Sequence, residues 1–186
     1  IHGVMNTDNC ALSGETIDYG PCAFMDQYNP EMVFSSIDRR GRYAYAAQAD
    51  VIVWNMAQLA TALVPLLPDA DTAIKDMTDV VHGMGDLLRA AWLKRFAAKI
   101  GISSVKDHDE NLIADLLEIM TEAKADFTNS FRVLTDGSGV ESQFAENQKF
   151  ADWQTRWQQR LEEETTDPVA TMAAANPVRI PRNHRI

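Results

Sequence analysis

The chain has few cysteines, no long apolar run and too few cationic residues to balance its acidic ones. Only Cys10 and Cys22 occur in 186 residues, so a disulfide-stapled fold is excluded and a reducing, cytoplasmic environment is expected. No uninterrupted run of eighteen apolar residues occurs, so we expect neither a transmembrane helix nor a membrane partner. The net charge of -10 argues against nucleic acid as a partner, because phosphate backbones are bound by basic surfaces.

The first part of the chain also lacks positive charge. No Lys or Arg precedes Arg39, no Lys precedes Lys75, and no glycine-rich loop precedes a predicted helix. The backbone amides of such loops, together with lysines, are what commonly hold nucleotide phosphates. Because the chain also begins within a polar loop, which a natural protein rarely places at its first residue, we expect it to be part of a longer protein.

The first twenty residues do contain a dense set of polar side chains. Polar clusters at residues 2–9 and 17–20 flank a connector, residues 10–17. The pattern of the connector predicts a small β-hairpin that turns at Ser13 and Gly14. Such a hairpin would bring the two polar clusters together.

Three side chains of these clusters form a candidate metal and catalytic site. Asn9 and Asp18 would offer an amide oxygen and a carboxylate, which suit Mg²⁺, an ion that prefers oxygen ligands. Asp8 would lie beside that ion as a base or as electrostatic support. Since Asp, Asn and Gly also cluster in turns for backbone reasons, a turn without chemistry is the alternative.

The sequence around these residues resembles the selenoprotein O family. The most specific block is His-Gly-Val-Met-Asn-Thr-Asp-Asn at residues 2–9, followed by Glu-Thr-Ile-Asp-Tyr-Gly-Pro at residues 15–21. Further matches lie at residues 38–45, 54–60 and 176–184, so the resemblance covers nearly the whole chain.

The resemblance implies the C-terminal lobe of a protein-kinase-like fold. It implies transfer of AMP from ATP to the Ser, Thr or Tyr hydroxyls of protein substrates, with release of pyrophosphate. Asp8 would accept the proton, Asn9 and Asp18 would bind Mg²⁺, and Asp18 would thereby also help to bind ATP. The N-terminal lobe that holds the phosphates would lie outside these residues, so we expect the chain to be inactive alone.

One departure from the kinase pattern concerns the catalytic base. A kinase catalytic loop carries an Asp about five residues before its metal-binding Asn, and here Val4 has that spacing from Asn9. Ordinary phosphoryl transfer with that base is therefore disfavoured. A kinase-like phosphotransferase remains one alternative, and a non-catalytic helical interaction module remains another.

Residues 21–48 show no persistent period and follow the candidate metal ligand, where a kinase has its activation segment. Arg39, Arg40 and Arg42 form a basic cluster there. They would either pair with nearby carboxylates on a solvated loop or contact a phosphate or a protein substrate. We expect Tyr43 to pack against the next helix.

Apolar periodicity predicts a single domain with a helical platform over residues 49–175 and a basic tail over residues 176–186. The first helix has so wide an apolar surface that we expect it to be central and largely buried, with Asn55 as a satisfied core amide. An aromatic stripe later in the chain is expected to lie in the core. The predicted helices cover residues 49–67, 71–100, 107–127, 128–134, 142–164 (one helix or a pair) and 167–175, and the stripe comprises Phe150, Trp153, Trp157 and Leu161.

Overall fold

The computed structural model describes residues 3–15, 23–137, 144 and 146–182, and the regular structure of these residues is helical. This confirms the prediction of a mainly helical chain. Within the described ranges the only β-type pairing is an isolated bridge between Gln27 and Asp126. The α-helices are α1 (Gln48–Leu63), α2 (Ala70–Lys99), α3 (Asp109–Glu122), α4 (Phe127–Asp136), α5 (Gln148–Leu161) and α6 (Pro168–Ala175), and short 3-10 turns cover Thr7–Asn9, Tyr45–Ala47 and Val64–Leu66.

The small β-hairpin predicted over residues 10–17 is not seen. In its described part, residues 10–15, the chain turns at Leu12 and Ser13, and the Gly14 N–H donates to the Ala11 carbonyl at 3.1 Å. No strand enters this turn in the described part. A lone two-stranded hairpin is marginal without a third strand or a packed face, so the turn forms without a ladder. Residues 16–22 lie outside the described residues.

Contacts divide the chain into two compact units. The first comprises residues 1–23 and 30–89, and the second comprises residues 24–29 and 90–186. The boundary falls inside α2, a helix of 30 residues and therefore about 45 Å long.

In the first unit, α1 is much more exposed than its apolar sequence predicts. Val51 and Asn55 are its buried residues, while Trp54 keeps 46% of its surface exposed. One side of α1 borders a cavity of about 250 Å³ that the start of α2 also lines. The prediction that this helix is largely buried is therefore wrong for α1. Few other segments of the first unit pack against it among the described residues.

The segment Tyr45–Leu66, which contains α1, is long and apolar enough to cross a membrane by length and composition. Only 11% of its most apolar window is buried. The core helices of soluble proteins pass the same test, so the pattern does not assign this segment to a membrane. The sequence analysis expected no transmembrane helix because no uninterrupted run of eighteen apolar residues occurs. That criterion is stricter than the mean hydropathy of a window, which tolerates single polar residues.

The second unit contains a dense core. Helix α3 packs against α5, and α4 packs against α6. The predicted aromatic stripe lies in this core, with Trp153 and Trp157 stacked at 5.4 Å between ring centres. Their indole N–H groups donate to the carbonyls of Leu112 and Ile100, each at 2.7 Å. The largest fully buried apolar side chains are Trp153, Phe131, Ile100, Ile102, Ile113, Leu116, Met120 and Met172.

A buried ionic network joins α3 to the end of α5. The Arg160 guanidinium donates to Asp109 Oδ1 at 2.7 Å and to Glu164 Oε1 at 2.8 Å. All three side chains are at most 4% exposed. Burial would raise the pKa of Glu164, but hydrogen bonds from Ser103, Arg160 and Ser104 outweigh it and lower that pKa to about 2.

The tail packs back onto the second unit as far as it is described. The Arg182 guanidinium donates to Asp26 and, at 2.6 Å, to Asp126 Oδ2. Asn176 is buried, and its amide nitrogen donates to the Lys99 carbonyl at 2.9 Å. The described part of the basic tail predicted over residues 176–186 is therefore packed against this unit.

Candidate active site

Asp8 and Asn9 lie in the short 3-10 turn Thr7–Asn9. The Asn9 N–H closes this turn on the Asn6 carbonyl at 3.0 Å. The Asn9 side-chain nitrogen donates to the Val4 carbonyl at 3.2 Å. This bond orients the side chain of the exposed Asn9, and no group of the described chain donates to its side-chain oxygen, which is therefore available as an acceptor.

The Asp8 carboxylate is exposed and forms no hydrogen bond or ion pair with the described part of the chain. It is therefore available to accept a proton or to support a nearby cation. Its accessibility comes from the turn, which places consecutive polar side chains at the surface without a helix or strand to cover them.

The pairing of Asn9 with Asp18 stays a prediction, because Asp18 lies outside the described residues. Among the residues that are described, no group of three or more His, Cys, Asp or Glu side chains is arranged to hold a metal ion. Asn is not one of these four residue types, so a metal site that uses the Asn9 amide oxygen differs from such a group.

Helix α1 supports the loop through Asn55. The buried Asn55 side chain donates to the Met5 carbonyl at 2.9 Å, and its nitrogen lies 3.0 Å from the Cys10 sulfur. These two contacts bracket the turn that carries Asp8. The Asn55 side-chain oxygen is buried and accepts no hydrogen bond from the described chain, so the expectation of a satisfied core amide is only half right.

The segment after residue 30 supplies two further supports. The Tyr43 hydroxyl donates to the Asn6 side-chain oxygen, a contact that the expected packing against the next helix did not anticipate. Gly3 has φ +66°, and a Cβ atom there would lie 2.6 Å from Phe34 Cβ. The start of the loop therefore needs glycine both for its backbone conformation and for its close approach to Phe34.

Sequence reasoning missed Asn55 and Tyr43 as supports of the site. Both contact the loop across large sequence separations, 50 and 37 positions. The available signal was their place in the family-like blocks at residues 38–45 and 54–60, since neither position stands out by composition.

Comparison with known proteins places the chain in a family. A family model described as protein adenylyltransferase SelO matches residues 1–186. A protein nucleotidyltransferase YdiU of a Ruegeria species is 58% identical over 186 residues, which cover all of this chain and 39% of that protein. The equivalents from Ruegeria pomeroyi and Halalkalibacterium halodurans are 53% and 50% identical over 186 and 190 residues, and in both cases the match covers all of this chain and 39% of the relative.

The chain thus spans about two fifths of the length of these relatives. The resemblance found at residues 2–9 and 15–21 is confirmed, since the match runs over all 186 residues. The chain belongs to the SelO family of protein adenylyltransferases.

Proposed function

We propose that this chain is the catalytic part of the C-terminal lobe, in a kinase-like fold, of an enzyme that transfers AMP from ATP to protein hydroxyls. The observation that carries the proposal is the turn at residues 7–9. It presents the Asp8 carboxylate, which has no partner among the described residues, next to Asn9, whose side-chain oxygen accepts no hydrogen bond from them. Relatives that match over the whole chain are named as nucleotidyltransferases.

The residues present fit a Mg²⁺ ion. The open Asn9 oxygen is a hard, neutral donor, and this ion commonly takes only one or two protein ligands beside substrate phosphates and water. Asp18 would supply the second protein oxygen. When bound, Mg²⁺ would neutralise charge on the triphosphate and on the departing pyrophosphate.

The residues of this chain contribute a proton acceptor, the Asp8 carboxylate, to the reaction. The hydroxyl oxygen of a Ser, Thr or Tyr on the substrate attacks the α-phosphorus of ATP, and its proton passes to the Asp8 carboxylate. A bond forms between that oxygen and the α-phosphorus, and the bond between the α-phosphorus and the bridging oxygen to the β-phosphorus breaks. The electron pair leaves with pyrophosphate.

The geometry at Val4 favours this chemistry over kinase chemistry. At this position a kinase carries its catalytic Asp. Here the side chain is aliphatic, and the backbone carbonyl serves instead to orient Asn9. With no carboxylate at that position, Asp8 is the candidate base.

Isotope tracing with the full-length protein tests the proposal. We expect label from α-labelled ATP to appear on protein and label from γ-labelled ATP to remain in pyrophosphate. Asp8→Asn should lower the transfer rate by about 10²–10⁴-fold, the usual contribution of a positioned base. Asp18→Ala should abolish Mg²⁺-dependent binding of ATP in calorimetry.

The matched control is Glu15→Gln, which removes one exposed carboxylate from the same loop outside the proposed site. It should transfer AMP at the unaltered rate. Protein labelling from γ-labelled ATP alone would establish the kinase alternative. If Mg²⁺–ATP does not bind, or binds equally well to Asp18→Ala, the results would instead support a non-catalytic helical interaction module.

A further inference from the structure

The basic cluster of the sequence lies on an ordered turn, residues 38–43, here called the arginine turn. Its three arginines are the only Lys or Arg residues among the first 74 positions of a chain with net charge -10. Pairing with nearby carboxylates was one expectation for them. Within the described part of the chain, none of Arg39, Arg40 and Arg42 forms an ion pair.

The nearest carboxylate in sequence is already occupied by the backbone. Asp38 Oδ1 accepts the Arg42 N–H at 2.9 Å, and Oδ2 accepts the Tyr43 N–H at 2.8 Å. Gly41 lies at the bend with φ +65°. Asp38 therefore holds the turn in shape, and no ion pair joins it to the neighbouring guanidinium groups.

The third arginine has a structural partner of its own. The guanidinium carbon of Arg42 lies 4.7 Å from the centre of the Trp54 ring and 5.8 Å from that of Tyr43. This stacking anchors the turn on α1. Arg39 and Arg40 remain exposed and form no ion pair with the described residues.

The arginine turn is attached directly to the candidate active site. Tyr43, its last residue, donates to Asn6, two positions before Asp8. Arg40 lies three positions before Tyr43, a span of at most about 11 Å even when fully extended. A substrate peptide held by Arg39 and Arg40 would therefore lie on the segment that supports the loop of Asp8.

We propose that Arg39 and Arg40 bind an acidic stretch of the protein substrate and so direct the neighbouring hydroxyl to Asp8. This rests on the proposed AMP transfer to protein and adds a preference among substrates. Arginine matches carboxylates in a planar, two-pronged geometry, and such charge-assisted bonds are strong. In an acidic chain, a local positive patch also selects the orientation in which an acidic partner approaches.

Exposure favours a macromolecular carboxylate over an ATP phosphate. The side chains of Arg39 and Arg40 are exposed on a surface turn. Neither lines the cavity between α1 and α2, and neither lines the cavity that Thr128, Asn129 and residues 178–182 form. A phosphate of a bound nucleotide is usually enclosed by several donors, whereas an acidic peptide needs only an open basic surface.

The test uses the full-length protein and two peptides with the same central hydroxyl residue. One peptide carries Asp and Glu around that residue, and the other carries Asn and Gln. We expect the wild type to bind the acidic peptide about tenfold more tightly, by fluorescence anisotropy, and to show a correspondingly lower KM for AMP transfer. The preference should fall as salt is raised, because exposed charges are screened.

The double variant Arg39→Glu/Arg40→Glu should lose the preference while KM for ATP and the rate on the neutral peptide stay unchanged. The double variant Arg39→Lys/Arg40→Lys, which keeps both positive charges, should retain part of the preference for the acidic peptide. The charge-matched control is Lys94→Glu/Arg95→Glu on the exposed side of α2, which should behave as wild type.

Three outcomes separate the ideas. If the double Glu variant instead raises KM for ATP and keeps the peptide preference, the arginines hold nucleotide phosphate and the proposal is overturned. If wild type binds and modifies both peptides equally, the substrate preference is wrong while AMP transfer stands. If the acidic peptide binds through these arginines but neither peptide receives AMP, the proposed activity fails and the docking surface stands.

Discussion

Replacing Glu164 by Gln should destabilise the second unit by about 3 kcal/mol at neutral pH. The buried carboxylate accepts the Ser103 N–H at 2.9 Å, the Ser103 hydroxyl at 2.5 Å and the Arg160 guanidinium at 2.8 Å. These bonds, against the opposing effect of burial, lower the pKa of Glu164 from 4.5 to about 2. At 1.36 kcal/mol for each pKa unit, that difference corresponds to about 3 kcal/mol.

The pH dependence of this effect has a definite sign. The pKa of Glu164 is lower in the folded than in the unfolded chain, so its contribution is complete above about pH 5 and falls as the pH drops from 4.5 towards 2. By the same linkage relation, less than half of this contribution should remain at pH 3. The free energies of unfolding of wild type and Glu164→Gln should therefore converge as the solution is acidified.

Equilibrium urea unfolding, followed by tryptophan fluorescence, measures this difference. Trp153 and Trp157 lie in the core of the same unit and report its unfolding. Glu162→Gln removes an equal charge from an exposed neighbouring position and should change stability by less than about 0.5 kcal/mol. A gap between wild type and Glu164→Gln that is below 0.5 kcal/mol at pH 7, or equal at pH 7 and pH 3, would refute the reasoning.

Three further changes test the supports of the loop and the tail. Asn55→Ala removes the bond to the Met5 carbonyl and should lower the rate of AMP transfer by about tenfold, equivalent to about 1.4 kcal/mol, with kinetics as the readout. Gly3→Ala sets a Cβ against Phe34 in a left-handed conformation and should cost about 1–3 kcal/mol of stability in the first unit, measured by hydrogen exchange. Arg182→Ala leaves two carboxylates without their shared partner and should increase proteolysis of the tail; an unchanged cleavage rate would show that the tail is held by other contacts.

Helix positions in the second unit could be predicted well because their burial is encoded locally. Phe150, Trp153 and Trp157 recur at helical spacing, and the packed core buries all three. Pro168 is the first residue of α6, a position where the fixed φ angle of proline suits a helix. Gly101 follows the end of α2 with φ +86°, a conformation that glycine adopts easily. Such signals need no knowledge of distant contacts.

The first unit was predicted less well for the same physical reason. Periodicity measures how apolar a helix is, and not which element covers it. The apolar side chains of α1 led to the prediction of a central helix, yet the described partners bury only Val51 and Asn55 along it. Residues 10–15 do contain a turn, one position earlier than predicted, but no strand of the described residues pairs beside it.

The candidate site shows the same division between local and distant information. Asp8 and Asn9 were found from their spacing, and the turn between residues 7 and 9 accounts for their exposure. Their predicted ligand partner, Asp18, lies outside the described residues. Asn55 and Tyr43 could not be found from periodicity, since each reaches the loop from a separate part of the chain.

These distant contacts determine how the loop keeps its shape. A three-residue turn fixes few backbone angles by itself, so the loop carrying Asp8 depends on side chains that arrive from α1 and the arginine turn. The loss of one such bond leaves the core of the second unit untouched but displaces the carboxylate relative to its substrate. In the full-length protein, changes at Asn55 and Tyr43 should therefore reduce the proposed AMP transfer far more than they reduce global stability, whereas changes at Glu164 should do the reverse.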